Sequence, residues 1–253
     1  SPHQMQGAIV KTYVANQEHI AKEKIVMVSV MPCTAKKFEI TRDDECGAGV
    51  PDVDYVITTN ELAAMLKEAE IQLEAMNPNA KFDLPLGLGT GAAVIFGVTG
   101  GVMEAALRTA VETLTGKEAA VEYTAVRGMD GIKEASVDVD GTEVKVAVAS
   151  GLANANQLLT AIKNGTADYQ FVEIMACPGG CINGGGQPHQ NAATRVLTNV
   201  PKTRGEALYR NDANSAMRKS HENPAVKEVY KNLLGKPGSE KAHEILHTSY
   251  VIR

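Results

Sequence analysis

Cysteine is the residue type with the clearest chemical potential in this 253-residue chain, and there are four: Cys33, Cys46, Cys177 and Cys181. Cys177 and Cys181 lie in segment 173–188, Glu-Ile-Met-Ala-Cys-Pro-Gly-Gly-Cys-Ile-Asn-Gly-Gly-Gly-Gln-Pro. Their spacing lets two thiolates meet one inorganic cluster, and soft thiolates suit iron–sulfur, zinc or copper(I). The glycines at 179, 180, 184, 185 and 186 remove side chains where backbone must approach something closely. Their N–H groups are expected to be available to cluster sulfides. Segment 31–39, Met-Pro-Cys-Thr-Ala-Lys-Lys-Phe-Glu, supplies a third thiolate, Cys33. Lys36 follows it by three residues, on the same side of a helical turn. An ammonium there favours thiolate over thiol and can donate to an anionic ligand. Glu39 is spaced to hold Lys36. Alone, such a pair is a surface contact worth on the order of a few tenths of a kcal/mol; beside Cys33 it reads as part of a site. Cys46, in the polar run 42–47, has no partner by spacing and reads as a non-ligand. Three cysteines in two loops point to a metal centre, iron–sulfur or zinc. Either one usually takes four protein ligands, and the fourth is not evident from spacing.

The elements that must position these loops alternate strand-like and helix-like, the pattern of an α/β protein. Residues 25–30 form an apolar run that ends at Met31-Pro32-Cys33, and 169–175 form another that ends at the second cysteine loop. Ligands in open α/β sheets gather beyond the carboxyl ends of strands, so both loops are expected to face one crevice. Further strands are expected at 54–58, 121–126, 135–139 and 144–149, the last two joined by Asp140-Gly141, a hairpin signal. Helices are expected over 3–20, 61–67, 102–114 and 153–163. Thr58 and Glu61 have capping-box spacing at the start of the second of these. Residues 75–93 read as a loop. Residues 203–253 read as a separate wrap of two or three polar helices broken near Pro224 and Pro237. The expected organisation is one domain over 1–202 and a helical C-terminal region over 203–253.

Composition bounds the function. Hydrophobic residues are 44%, charged residues 22% and the net charge is −5, values of an ordinary globular chain without a basic run for nucleic acid. No stretch approaches the roughly 20 apolar residues of a membrane span, and no export signal opens the chain. A reducing cytoplasm is the simpler expectation, and there clustered cysteines signal metal or redox chemistry. The chain opens Ser-Pro-His-Gln rather than with Met and reads as a processed product or a fragment.

The two cysteine segments carry a resemblance. Met31–Glu39 resembles the second signature of the iron-only (FeFe) hydrogenases, and 173–188 resembles the third. Ser1–Met5 is similar to the stretch after the family's first signature, and Gly89–Gly101 to the glycine-rich stretch between signatures. Residues 218–224 and 243–248 are similar to the tail that some members carry as a small subunit. The resemblance spans essentially the whole chain. It implies two lobes with small parallel or mixed sheets flanked by helices, a cofactor crevice between them, and a helical tail.

It also implies an H-cluster, a 4Fe–4S cubane joined through one cysteine to a two-iron centre bearing CO, cyanide and dithiolate. By that likeness Cys33, Cys177 and Cys181 are metal ligands, with Cys181 bridging. Lys36 donates to a cyanide and Glu39 orients it. Met31, Pro32, Phe96 and Met175 wall the two irons. The activity implied is reversible reduction of protons to H2, with ferredoxin or another electron carrier as partner. The first signature, with the fourth cluster cysteine and the proton-relaying cysteine, would come from a separate or removed N-terminal segment. Position 3 is His where the resemblance leads one to expect Gln. His243 and His247, at i, i+4 spacing, read as structural, as do the other histidines. Other readings are a non-catalytic hydrogenase-like iron–sulfur sensor, an assembly-related protein and a zinc-stabilised domain.

Overall fold

The computed structural model describes residues 1–249, so the last four residues of the expected C-terminal region lie outside the described residues. The chain forms two compact units. One contains residues 1–88, 185–189 and 224 onward; the other contains 89–184 and 190–223. The expected C-terminal region is therefore shared: 203–223 belong to the second unit and 224–249 to the first.

In the first unit the helix Pro2–Ile9 continues through a π-helical turn, Val10–Val14, into Ala15–Gln17. Its apolar face, Ala8, Ile9, Tyr13 and Val14, packs on Val229, Leu234, Ala242 and Ile245 from the tail helices Pro224–Val229 and Glu240–Leu246 and the turn between them. Gly7 is required at one close crossing: a Cβ there would sit 2.2 Å from the Asp52 carbonyl oxygen. Strands β1 (Val28–Met31) and β2 (Tyr55–Thr58) pair in parallel, Val28 opposite Tyr55 and Met31 opposite Thr58. The strand expected from 25 begins later. Residues 22–24 form a 3-10 turn, and the Met27 N–H is taken by the Asp54 carboxylate at 2.6 Å rather than by a ladder. The capping box at Thr58 and Glu61 is present, with bonds of 3.1 and 2.7 Å, and starts the helix Thr59–Glu68.

The second unit is built on a three-stranded sheet, β3 (Ile132–Val139), β4 (Thr142–Ser150) and β5 (Phe171–Met175), in that order. β3 and β4 form an antiparallel hairpin turning at Asp140 and Gly141, with φ of 54° and 85°, as a two-residue turn with both φ positive requires. β4 and β5 run parallel, connected by the helix Leu152–Lys163. Alternate residues of β4 face opposite ways. Val146 and Val148 pack on Met103 and Leu107 of the helix Gly101–Thr115, while Ala147 and Ala149 pack on Ala155 and Leu158. Helices thus cover both faces of β4.

The strand expected over 121–126 does not form. A 3-10 turn occupies Thr124–Val126, and the Tyr123 N–H bonds to the buried Glu104 carboxylate instead of a neighbouring strand. Glu104 and Arg108, both wholly buried, form an i, i+4 pair at 2.8 Å, and Arg108 clasps Asp212 of the helix Val200–Asn214 through two bonds of 2.8 Å. Within the expected loop 75–93, the short helix Gly91–Ile95 appears, capped by Thr90.

Candidate metal centre

Cys33 follows the carboxyl end of β1, and Cys177 and Cys181 follow the carboxyl end of β5; all are free thiols, as is Cys46. Both loops leave parallel-paired strands, the position where α/β folds present ligand-binding groups. Cys33 and Cys177 are half-buried and Cys181 is exposed. Exposed Cys46 donates through sulfur to the Asp43 carbonyl at 3.2 Å.

In the first unit, Met31 closes β1, and Pro32 and Cys33 lead into the short helix Ala35–Glu39. Lys36 Nζ meets Glu39 Oε2 at 2.8 Å. The same oxygen accepts from Ser1 Oγ at 2.9 Å and lies 2.8 Å from His3 Nε2, while His3 Nδ1 lies 3.1 Å from Ser29 Oγ on β1. Burial opposes ionisation of Glu39, yet the bonds from His3, Lys36 and Ser1 outweigh it and hold the carboxyl well below the usual carboxylate range. Because Glu39 is ionised, the ring nitrogen facing it must carry a proton, which fixes Nε2–H on His3. Sequence spacing singles out Lys36 and Glu39; it misses Ser29 and the work of His3. The signal for His3 was its presence where Gln was expected, since either side chain offers one donor and one acceptor.

In the second unit, Met175 closes β5, its carbonyl accepting the Gly151 N–H at 2.7 Å. Phe96, half-buried, ends the helix Gly91–Ile95 and packs on Ala92, Ile95 and Ala105. The cysteine loop docks on the turn after Phe96: Ile182 N–H bonds to Gly97 O at 2.9 Å and Thr99 N–H to Gly179 O at 3.1 Å. Gly180, at φ 100°, lets the backbones touch, since a Cβ there would sit 2.6 Å from the Thr99 nitrogen.

This corrects the expected role of the glycines. The N–H groups of Gly179, Gly180, Gly184 and Gly186 are engaged by Ser150 Oγ, Cys177 O, Cys181 O and Pro32 O, at 2.7 to 3.0 Å. Gly180 and Gly186 serve close packing of protein on protein, a Cβ at Gly186 meeting Thr58 at 2.8 Å, and those four donors are not held out for a ligand.

The donor set suits an iron–sulfur group. Soft thiols stand unbridged at strand ends, and in the same unit as Cys33 the buried Gln4 amide leaves both its oxygen and nitrogen without a protein partner. Among the described residues the one group of three His, Cys, Asp or Glu side chains whose ligand atoms lie within 4.8 Å of one another is Glu112, His221 and Glu222, and it includes no cysteine. A lysine already occupies it: Lys219 Nζ lies 2.5 Å from Glu112 and 3.6 Å from Glu222. His221 bonds Thr109 and Glu112, a structural weld. The rings of His243 and His247 lie 4.1 Å apart between centroids, tilted by 55°.

Two parallel-paired strands thus end in thiol-bearing turns, and a lysine and a carboxylate are fixed beside one of them. Residues 1–185 match the family described as iron only hydrogenase large subunit, C-terminal domain, and residues 198–253 match iron hydrogenase small subunit. The chain belongs to the iron-only hydrogenase family. It is 52% identical over its full length to the NADP-reducing hydrogenase subunit HndD of Solidesulfovibrio fructosivorans, covering 42% of that protein. An apo [FeFe]-hydrogenase HydA1 from Chlamydomonas reinhardtii superposes with a TM-score of 0.82 at 43% identity, over 99% of this chain and 69% of that one. The chain is also 33% identical, over 99% of its length, to the cytosolic iron-sulfur assembly component 3 of Bos taurus, 52% of which it covers. It spans less than half the length of the hydrogenases it matches among curated proteins, 42% to 45%. Among the described residues no helix is long and apolar enough to cross a membrane.

Proposed function

We propose that this chain is the cluster-binding part of an FeFe hydrogenase that interconverts protons, electrons and H2. Cys33, Cys177 and Cys181 would hold the cluster in this reading, and Cys181 would be the cysteine shared between its 4Fe–4S and two-iron parts. When bound, the H-cluster supplies the redox chemistry; the protein supplies position and electrostatics. Lys36, held by Glu39 at 2.8 Å, donates a hydrogen bond to an anionic cyanide. Met31, Pro32, Phe96 and Met175 keep the surroundings of the two irons apolar, which excludes water and strengthens the remaining polar contacts. The fourth cubane cysteine and the terminal proton donor come from an N-terminal hydrogenase segment, and electrons from ferredoxin or another carrier.

The observation that carries this reading is the Lys36–Glu39 pair at 2.8 Å, buttressed by His3 and Ser29 three residues beyond Cys33. A bare cubane needs no fixed ammonium beside its ligand. The likeness to an iron–sulfur assembly component favours a second reading, a non-catalytic iron–sulfur sensor or assembly-related protein.

The test is Cys181→Ala in a hydrogenase reconstituted from this chain and the family's N-terminal segment. Hydrogen evolution is expected to vanish together with the infrared bands of metal-bound CO and cyanide. Normal evolution by the variant would overturn the bridging role. A wild-type protein that loads iron and sulfide yet never shows those bands would favour the second reading.

A further inference from the structure

Two buried charges in the second unit have no part in the proposed chemistry. Lys133 on β3 and Glu173 on β5 are each 6% exposed, and among the described residues neither forms an ion pair. Burying a charge is costly, and the cost is offset by hydrogen bonds and by the attraction between these two charges. Glu173 accepts from the Gly100 N–H and the Met103 N–H, both at 2.7 Å, and so fixes the start of the helix Gly101–Thr115. Lys133 Nζ donates to Thr99 O at 3.1 Å, Thr99 Oγ1 at 3.3 Å and Gly128 O at 3.0 Å. Both side chains thus converge on the segment 97–103 from behind. The other side of that segment carries the cysteine loop, through the Thr99–Gly179 and Gly97–Ile182 bonds and the close seat of Gly180.

We infer that Lys133 and Glu173 are positioning residues that hold the 97–103 turn so that it presents Cys177 and Cys181 in a fixed geometry. The inference rests on the reading of these cysteines as ligands, but the positioning itself is measurable with no metal present. Lys133 ties Thr99 through its carbonyl and hydroxyl, and Thr99 in turn ties the loop through its N–H. Loss of the lysine frees the turn without touching either thiol.

The experiment is alkylation of the full, metal-free chain with iodoacetamide, each cysteine followed separately by mass spectrometry, in wild type, Lys133→Met and Glu173→Gln. Cys33 and Cys46, in the other unit, are internal references. The expected result is a change of alkylation rate on the order of tenfold at Cys177 and Cys181, the scale of one lost charge-assisted hydrogen bond, with both references unchanged. Glu173→Gln is close to isosteric and stands in if Lys133→Met does not fold. Equal change at all four cysteines would reduce the pair to a general structural role and overturn the inference, as would no change at Cys177 and Cys181. Iron–sulfide reconstitution of the same proteins separates the two levels. A wild type that binds no cluster while the alkylation pattern holds would sink the ligand reading and leave the positioning intact.

Discussion

Asp212→Asn removes the carboxylate at the centre of the second unit's ion network. Asp212 takes two bonds of 2.8 Å from Arg108 and one of 2.6 Å from Arg218, and Asp212, Arg108 and Glu104 are all wholly buried. Before the change, two buried carboxylates face one buried guanidinium and the partly exposed Arg127 and Arg218. Afterwards Glu104 is the one buried carboxylate left in the network, exposed Glu122 reaching only Arg127 and Arg218, and the new amide turns N–H donors toward a guanidinium that has only donors. Breaking a buried pair from one side costs about 3–5 kcal/mol, because the remaining charge stays buried. The expected loss of stability is in that range. It should fall on the second unit, because the bond joins the helix Gly101–Thr115 to the helix Val200–Asn214. Urea unfolding followed by circular dichroism and amide exchange measures it. Lys117→Ala, which removes a 2.7 Å pair with Asp140 in which both side chains are mostly exposed, is the control and should have no measurable effect. A cost below about 1 kcal/mol for Asp212→Asn, or a similar cost in the control, would refute the reasoning that burial decides what an ion pair contributes.

Glu39 has a depressed folded-state pKa, so its stabilising contribution is complete above the unfolded value of about 4.3 and is lost as pH falls toward the folded one. Unfolding free energy measured from pH 7 to pH 2 should therefore decline less steeply in Glu39→Gln than in wild type; parallel curves would count against the hub at Glu39. Lys133, pushed down to about 8 by burial and facing Glu173 and Asp130, carries a penalty at neutral pH that is relieved as pH rises. The unfolded chain holds this proton up to about pH 10.4, so stability rises between about pH 8 and 10.4 and should lose that rise in Lys133→Met. Gly180→Ala meets both a positive φ and backbone 2.6 Å away, whereas Gly165→Ala meets a positive φ of 69° in open space. The second should cost about 1–2 kcal/mol and the first clearly more, with the excess lost if the cysteine loop does not pack on Thr99.

Periodicity and punctuation made much of this fold legible. The Asp140-Gly141 hairpin, the Thr58–Glu61 capping box and the carboxyl ends of both strands that run into cysteine turns stand where the pattern placed them. Residues 121–126 misled because strand-favouring residue types do not supply a pairing partner: Val126 is buried, but the Tyr123 N–H is satisfied by Glu104, a side chain distant in sequence. The glycines of the cysteine loop signalled close approach correctly, yet sequence could not say whether ligand or protein would approach. Lys133 and Glu173 were passed over because a charge within an apolar strand reads as solvent-facing until burial is known. Ser29 was invisible for a similar reason: nothing in its spacing from His3 and Glu39 marks the three as neighbours.

The most direct measurement is anaerobic iron–sulfide reconstitution of the chain, with iron and sulfide counted in wild type and in Cys33→Ala, Cys177→Ala, Cys181→Ala and Cys46→Ala. The account predicts that wild type and Cys46→Ala bind iron and sulfide together and that the other three variants lose them. Wild-type loading that survives removal of Cys33, Cys177 or Cys181, or that depends on Cys46, would contradict it.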